Sequence, residues 1–177
     1  MASRVRIVPA NLRDCTYIGA NMRPADAEEV LCQMPEGMSG SDFAAAAFPA
    51  FLDGWVWVAL VDGNPVCFFG FQPITTPVWM GFAVGTRRML RAVPAMTAHC
   101  LAQERRLVEL GVRRLEVRTL KGHDLSARWL THLGCRWCCD LPDHGRSGET
   151  FELWSWTLSD GLPSQTKDYR NVPAQST

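Results

Sequence analysis

The sequence lacks the features that mark several large classes of protein. Its 177 residues hold 18 basic and 18 acidic side chains, so the formal net charge at pH 7 is zero. A balanced chain has no overall field that attracts nucleic acid or an anionic membrane, and we expect neither as a partner. No apolar run is long enough to span a bilayer, and the start lacks the pattern of a signal peptide. Internal repeats and low-complexity domains are also missing, which excludes repeat architectures.

The composition that remains is that of a globular protein. Hydrophobic residues make up 47% of the chain and charged residues 20%, as is usual for folded domains. The length suits one domain with a single sizeable core. The seven cysteines are an odd number and accompany no export signal, which favours reduced thiols over a disulfide framework. We therefore predict a cytoplasmic protein.

Hydrophobic spacing predicts strands and helices between residues 5 and 158. Asp62-Gly63 is typical of a hairpin turn, and the two strands beside it are apolar on both faces, which places them mid-sheet. A long helix with its buried face at Met96–Leu110 is predicted to end at Gly111. The element order is β, α, α, α, β, β, β, α, β, α, β, β, which indicates a mixed α/β sheet. We divide the chain into a domain, 1–158, and a polar tail, 159–177.

The most informative motif lies in the segment LEVRTLKGHDLSARWLTHLGC, residues 115–135. A strand is followed there by a helix that ends at Leu133-Gly134, and this motif and the element order resemble the GNAT acetyltransferases over residues 3–158. GNAT enzymes carry an Asn, a small residue and a Tyr along this helix, and a Phe after it. Alignment on Leu133-Gly134 places four residues at those positions: His123, Ser126, Leu130 and Cys135. The resemblance implies a single-domain fold with a mixed, mostly antiparallel sheet of about six to seven strands flanked by helices.

The resemblance also implies an activity, the transfer of an acetyl group from acetyl-CoA to an amine. GNAT enzymes bind the pyrophosphate with backbone N–H groups of a glycine-rich loop after the fourth strand. Here that place holds Val84, Gly85 and Thr86, whose N–H groups are the predicted oxyanion and cofactor donors. Three arginines follow and are predicted phosphate partners: Arg87, Arg88 and Arg91. The alternative for these arginines is a solvated basic helix start or a partner contact.

Two departures from the GNAT pattern affect the chemistry rather than the fold. In the loop, only Gly85 remains as a flexible residue, and the side chains of Met89, Leu90 and Val93 could block a close approach of the phosphates. In the helix, Leu130 replaces the tyrosine that often serves as general acid, and it has no proton to donate. Both departures favour a protein that keeps the fold without the catalysis.

Two residues are candidates for proton transfer. His123 can act as an acid or a base near neutral pH, and the alternative is a helix cap together with Asp124. Glu116 lies on the neighbouring strand and could activate an amine through water, and the alternative is an exposed strand residue. Each candidate therefore has a structural interpretation beside the catalytic one.

A cysteine-rich stretch resembles a zinc site in its spacing: His132, Cys135, Cys138, Cys139 and His144. Alternation along a strand would put Cys135 and Cys138 on opposite faces, so we predict no metal. The same alternation predicts that Cys135, Trp137 and Cys139 share a core face. Trp154 and Trp156 share a face of the last strand and either fill the core or form a homo-oligomer contact.

A narrower resemblance concerns the stretch Asn21–Glu29, NMRPADAEE. It is similar to the early segment of a bacteriophage family of acetyltransferase-like or internal virion proteins. This implies a phage-encoded protein in the cytoplasm of a bacterial host or in the virion. Two hypotheses follow: an enzyme, or a scaffold that binds virion or host proteins. An open gap between residues 80–84 and 115–119 with free amides favours the enzyme. A gap filled by Met89, Leu90 or a tryptophan favours the scaffold.

Overall fold

The structure, a computed structural model, describes residues 4–52 and 55–161. The strands in these residues are β1 (Val5–Pro9), β2 (Val56–Val61), β3 (Asn64–Pro73), β4 (Val78–Gly85), β5 (Arg114–Leu120), β6 (Arg136–Leu141) and β7 (Phe151–Thr157). The α-helices are α1 (Leu12–Ala20), α2 (Pro24–Leu31), α3 (Gly40–Ala47), α4 (Val93–Ala102), α5 (Glu104–Glu109) and α6 (Asp124–His132). Short 3₁₀ turns span Phe48–Phe51, Met89–Arg91 and Leu158–Asp160. The order of the elements is the predicted one, except that two helices replace the long one.

The seven strands form one sheet in the order β1-β2-β3-β4-β5-β7-β6. Every pair of neighbouring strands is antiparallel except β4 and β5, which run parallel. This confirms the predicted mixed, mostly antiparallel sheet flanked by helices. The hairpin strands β2 and β3 lie inside the sheet, as their two apolar faces predicted.

Helices cover the two faces of the sheet and bury different side chains. On one face, Ile18 of α1 and Ala44 of α3 pack against Phe68 of β3, and all three are fully buried. On the other face, Met96 of α4 packs with Phe69 of β3. Phe68 and Phe69 are neighbours in sequence and serve opposite faces because side chains alternate along a strand. Each buried side chain of this size contributes about 1.5–3 kcal/mol to folding.

Local signals fix where the helices on the first face begin. The Asn11 side chain caps α1 by accepting the Asp14 N–H at 2.9 Å. Ser39 and Asp42 form a reciprocal capping box on α3. Pro24 occupies the first turn of α2, where its missing N–H is tolerated. The start of α2 matters most for function, because it lies beside the end of β4.

The predicted long helix is divided, since a turn at Gln103 separates α4 from α5. Nothing in the surrounding contacts explains this break. Gly111 follows α5 with a φ of 86°, the left-handed conformation that its predicted role at the helix end requires.

The predicted core face of β6 is wrong. Cys135 is buried, but Trp137 is 53% exposed and Cys139 is exposed as well. The strand lies at the edge of the sheet, and a bulge between Trp137 and Cys139 interrupts the alternation on which the prediction rested. On β7, by contrast, Trp154 and Trp156 pack in one core cluster with Leu130.

The predicted tail, 159–177, lies outside the described residues from 162 onward. Within the described part of the chain, no helix has the length and apolar character needed to cross a bilayer.

Candidate functional site

The strands β4 and β5 pair at their beginnings and then separate. Their register runs from Val78↔Arg114 to Met80↔Glu116. Each strand continues beyond the last pair, β4 to Gly85 and β5 to Leu120. A gap therefore opens between the ends of two adjacent parallel strands, at the place that the sequence analysis chose to separate an enzyme from a scaffold.

Two cavities meet at this gap, one on each side of the sheet. The α2 cavity, of about 410 Å³, lies on the side of α2 and α3. The α6 cavity, of about 80 Å³, lies on the side of α4, α5 and α6. Both are lined by the same six residues of β4, β5 and α6: Gly81, Phe82, Ala83, Val117, Trp129 and Leu130. The gap thus connects the larger α2 cavity on one face of the sheet with the smaller α6 cavity on the other face.

The end of β4 is held by the start of α2. The Gly85 N–H donates to Asp26 Oδ2 at 2.7 Å, and the Gly85 carbonyl accepts the Arg23 N–H at 2.9 Å. Arg23 Nε in turn donates to Asp26 Oδ1 at 2.6 Å. Asp26 is 5% exposed, and this burial outweighs Arg23 and Gly85 and raises the pKa of its carboxyl. A buried carboxylate therefore accepts the hydrogen bond of the last N–H group of β4 that faces the gap.

This arrangement bears on the backbone donors predicted at 84–86. The Thr86 N–H donates to the Val66 carbonyl of β3 at 2.8 Å, so it faces away from the gap. Backbone groups of a strand alternate in direction, which puts the Val84 N–H on the β3 side as well. The Gly85 N–H faces the gap but is taken by Asp26. By the same alternation Ala83 presents its N–H to the gap, a donor that the sequence analysis missed although two-residue alternation could have indicated it.

The end of β5 is held by a second carboxylate of α2. Glu29 Oε2 accepts three hydrogen bonds: from Thr119 Oγ1 at 2.8 Å, from the Leu120 N–H at 2.9 Å and from His123 Nδ1 at 2.9 Å. The Glu29 side chain is 21% exposed and lines the α2 cavity. Sequence reasoning missed Glu29, because it lies 94 residues before His123 and no local pattern joins the two.

The two candidates for proton transfer have different surroundings. His123 stands at the start of α6 without a capping hydrogen bond from its side chain. Its hydrogen bond to Glu29 raises the pKa of the imidazole, and the nearby charges of Asp26 and Glu28 act in the same direction. Glu116 instead accepts from Arg114 Nε at 2.6 Å within β5. The structure thus pairs His123 with Glu29, which lines the α2 cavity, and engages Glu116 in an ion pair.

The predicted phosphate partners lie at the surface after β4. Arg87 and Arg88 line a separate hollow together with Tyr17 and Asn21 of α1 and its end. Arg88 also lies 3.6 Å from Asp62 in an exposed ion pair. Arg91 is exposed in the 3₁₀ turn that leads into α4. Their role as phosphate partners stays a prediction.

The side chains that could fill the gap lie in different places. Leu90 is 54% exposed and Met89 is buried in the core under α4. Trp129 lines both cavities, and its Nε1 donates to Thr97 Oγ1 of α4 at 2.9 Å, which ties α6 to α4. Leu130, at the usual tyrosine position, is 4% exposed and also lines the gap. The gap is therefore open on the α2 side and bridged by a tryptophan on the α6 side.

Among residues 4–52 and 55–161, no group of three or more His, Cys, Asp or Glu side chains is placed to hold a metal ion.

Cys138 Sγ lies 3.1 Å from Ser155 Oγ of the neighbouring strand. Burial beside Cys135 raises the pKa of the Cys100 thiol to about 12, and burial likewise raises that of Cys15 to about 12. These two thiols are protonated at neutral pH and are poor nucleophiles.

Comparison with known proteins connects this geometry to one fold. No family model matches the sequence, and no curated protein matches it. Solved structures do match. An acetyltransferase of the GNAT family from Bacillus anthracis has a TM-score of 0.63 at 13% identity, covering 90% of this chain and 98% of its own. A ribosomal-protein-alanine N-acetyltransferase from Brucella melitensis has a TM-score of 0.65 at 15% identity, covering 86% of this chain and 99% of its own.

A third similar structure holds a ligand. YncA from Salmonella typhimurium, a proposed acetyltransferase with its cofactor acetyl-CoA, has a TM-score of 0.62 at 12% identity and covers 87% of this chain and 94% of its own. Similarity at this level of identity shows the fold alone. The chain has the fold of the GNAT acetyltransferases, which confirms the fold that the sequence predicted.

Proposed function

We propose that the protein is an acyltransferase that moves an acetyl group from acetyl-CoA to an amine. The observation that carries the proposal is the gap between β4 and β5, with a cavity of about 410 Å³ on one side of it. Cavities of this size hold small molecules. The gap lets a group bound between the strands reach a second molecule in the α2 cavity.

The residues present fit acetyl-CoA, with two of the expected arginines but with backbone donors other than those expected. The apolar walls of the gap suit the acyl arm, and the Ala83 N–H faces it. The phosphates would be held by the side chains of Arg87 and Arg91 and by the first turn of α4, which has no side-chain cap. The N–H groups of Gly85 and Thr86 do not contribute, since they donate within the protein.

Bound acetyl-CoA would supply the acetyl group: a C–N bond to the amine would replace its C–S bond, and the proton that the nitrogen loses on forming the amide would leave on the sulfur as a thiol. The chain's own residues position the amine and manage charge. His123, oriented by Glu29, accepts the earlier proton, which an ammonium must lose before its nitrogen can attack. The Ala83 N–H donates to the oxygen on which negative charge develops.

A second candidate function is a GNAT-fold scaffold without catalysis, as in a phage virion or assembly protein. Three observations favour it. Asp26 places a carboxylate where an anion of the cofactor would approach β4. Trp129 bridges to Thr97 across the side where the acyl arm would enter. Leu130 offers no proton at the place of the usual acid.

Calorimetric titration with acetyl-CoA tests the enzyme against the scaffold. We expect a dissociation constant on the order of micromolar, within the range of enzyme cofactors and substrates. The Arg87→Ala/Arg91→Ala variant is expected to bind at least about tenfold more weakly. The matched control is Arg6→Ala/Arg13→Ala, which removes two exposed arginines that line neither cavity at the gap. Absence of binding at millimolar acetyl-CoA would overturn the enzyme proposal and favour the scaffold.

A further inference from the structure

We infer that the α2 cavity is the acceptor site and that it selects a primary amine carried on an apolar body of about the size of a phenylalkyl group. The inference rests on the proposed function, because it names the amine that this function would consume. It depends on two features of the cavity. One is a fixed negative charge at the gap, and the other is an aromatic wall.

The fixed charge is the carboxylate of Glu29. All three of its described donors bind Oε2, so the group is held in one orientation at the end of β5. No described donor binds its other oxygen, Oε1, and the side chain lines the α2 cavity. Two charged residues line this cavity, Glu29 and the exposed Arg118 of β5. Asp26 and Glu28 add negative potential close to His123. A cationic head group is therefore favoured at Glu29, and a carboxylate is disfavoured there.

The aromatic wall is formed by side chains of the turn after α2, of α3, of the following 3₁₀ turn and of the sheet. Phe51 stacks on Phe82 with ring centroids 5.3 Å apart and an interplanar angle of 18°. Phe51 also lies 5.7 Å from Phe68. Phe43 and Met34 complete the wall. Phenyl rings and thioethers pack favourably against an aromatic ligand body.

The combination disfavours several other amines. Hydroxyl groups that lie against the phenyl rings of the wall would lack partners there, at a cost in binding, and the polar lining of the cavity lies outside the wall, at Gln33, Gln72, Arg118 and Ser126. A small amine such as ethylamine would reach Glu29 and leave most of the 410 Å³ cavity unfilled. An apolar primary amine satisfies the carboxylate and the wall together.

The experiment measures binding of 2-phenylethylamine to the whole chain without acetyl-CoA, by calorimetry or ligand-observed NMR. Ethylamine lacks the apolar body, and 3-phenylpropionate replaces the ammonium by a carboxylate. We expect 2-phenylethylamine to bind at least about tenfold more tightly than either, since each lacks one of the two contacts.

Two pairs of variants separate the charge from the wall. Glu29→Gln is expected to weaken 2-phenylethylamine binding at least about tenfold, whereas Glu36→Gln, the same change at an exposed residue that does not line the cavity, leaves it unchanged. Ala47→Phe fills part of the cavity and is expected to weaken 2-phenylethylamine binding while sparing ethylamine. Its control is Ala46→Phe, at an exposed position of α3 that does not line the cavity. Circular dichroism of every variant confirms folding.

Acetyl transfer to the same amines, followed by thiol release from acetyl-CoA, distinguishes the two proposals. Binding of 2-phenylethylamine without transfer supports the cavity's selectivity and overturns the enzyme. Transfer to polar amines but not to 2-phenylethylamine supports the enzyme and overturns the selectivity. Equal binding of 3-phenylpropionate and 2-phenylethylamine, or an unchanged Glu29→Gln variant, also overturns the selectivity.

Discussion

Asp26 and Glu29 lie one turn apart on α2, and each carboxylate holds the end of one of the two separating strands. Asp26 is 5% exposed and uses both oxygens inside the protein, on Gly85 and Arg23. Glu29 is more exposed, uses one oxygen for three donors and has no described donor on the other, and its side chain lines the α2 cavity. Asp26 therefore only anchors the end of β4, whereas Glu29 anchors the end of β5 and also lines the proposed ligand site.

The difference shows how one short helix can serve both stability and function. A buried carboxylate whose two oxygens are both engaged has no capacity for a ligand. A carboxylate held through one oxygen is oriented at little cost and keeps its second oxygen for binding. Four predictions test this contrast, and we give them from the largest expected effect to the smallest.

Replacing Asp26 is expected to have the largest effect on stability. Asp26→Ala leaves the Gly85 N–H and the Arg23 guanidinium without their partner, and we expect the free energy of unfolding to fall by about 3 kcal/mol. Urea denaturation followed by tryptophan fluorescence measures it. The control, Glu28→Ala, changes an exposed residue of the same helix and should cost less than about 0.5 kcal/mol. A loss below about 1 kcal/mol for Asp26→Ala would contradict the role of Asp26 as the anchor of β4.

A methyl group at the end of β4 tests how closely that end is packed. A Cβ at position 85 would lie 2.4 Å from Met89 Sδ, so Gly85→Ala is expected to cost about 1–3 kcal/mol. At Gly81 the nearest atom is Val117 Cγ2 at 3.2 Å, and Gly81→Ala should cost less. A double-mutant cycle with Met89→Ala is expected to show coupling. Strict additivity would mean that Met89 is not the cause.

Replacing Glu29 is expected to cost less than replacing Asp26. Glu29→Ala removes three hydrogen bonds, but this end of the site is partly exposed and water can replace the lost acceptor. We therefore expect a loss of about 1 kcal/mol in the free energy of unfolding, measured in the same urea series. If Glu29→Ala proves as costly as Asp26→Ala, the two carboxylates do not differ as described.

The smallest effect concerns pH. Glu29 raises the pKa of His123 above its ordinary value of 6.5 in the folded protein. The stabilisation by this pair is therefore fully present below pH 6.5 and is lost as the pH rises through the folded pKa of His123. Between pH 6 and pH 8 we expect a loss of up to about 1 kcal/mol, attenuated in His123→Asn. An unchanged slope in His123→Asn, with His132→Asn as the control for an exposed histidine, would contradict this assignment.

Much of the fold could be predicted because its signals are local. Asp62-Gly63 marked the hairpin of β2 and β3, and apolar character on both faces marked these strands as internal. The edge strand β6 was predicted less well, since a bulge at Trp137 interrupts the two-residue alternation. No pattern of residue types within the strand announces such a bulge.

The site was less predictable because its contacts are long-range. Asp26 meets Gly85 across 59 positions of the sequence, and Glu29 meets His123 across 94. Only the packing of α2 across the separating strands brings them together. The place of His123 in a sequence motif made it predictable. The direction of the Ala83 N–H depends instead on alternation along the backbone of β4, which no motif marks.

The position of α2 also has a mechanical consequence. Asp26 and Glu29 are three residues apart on a continuous helix, so a rise of about 4.5 Å along its axis sets the offset between the two anchors. Neither strand end can shift without moving the helix or breaking an anchor. A ligand that draws Glu29 toward itself therefore transmits that displacement, through one turn of helix, to the last residue of β4 on the other side of the gap.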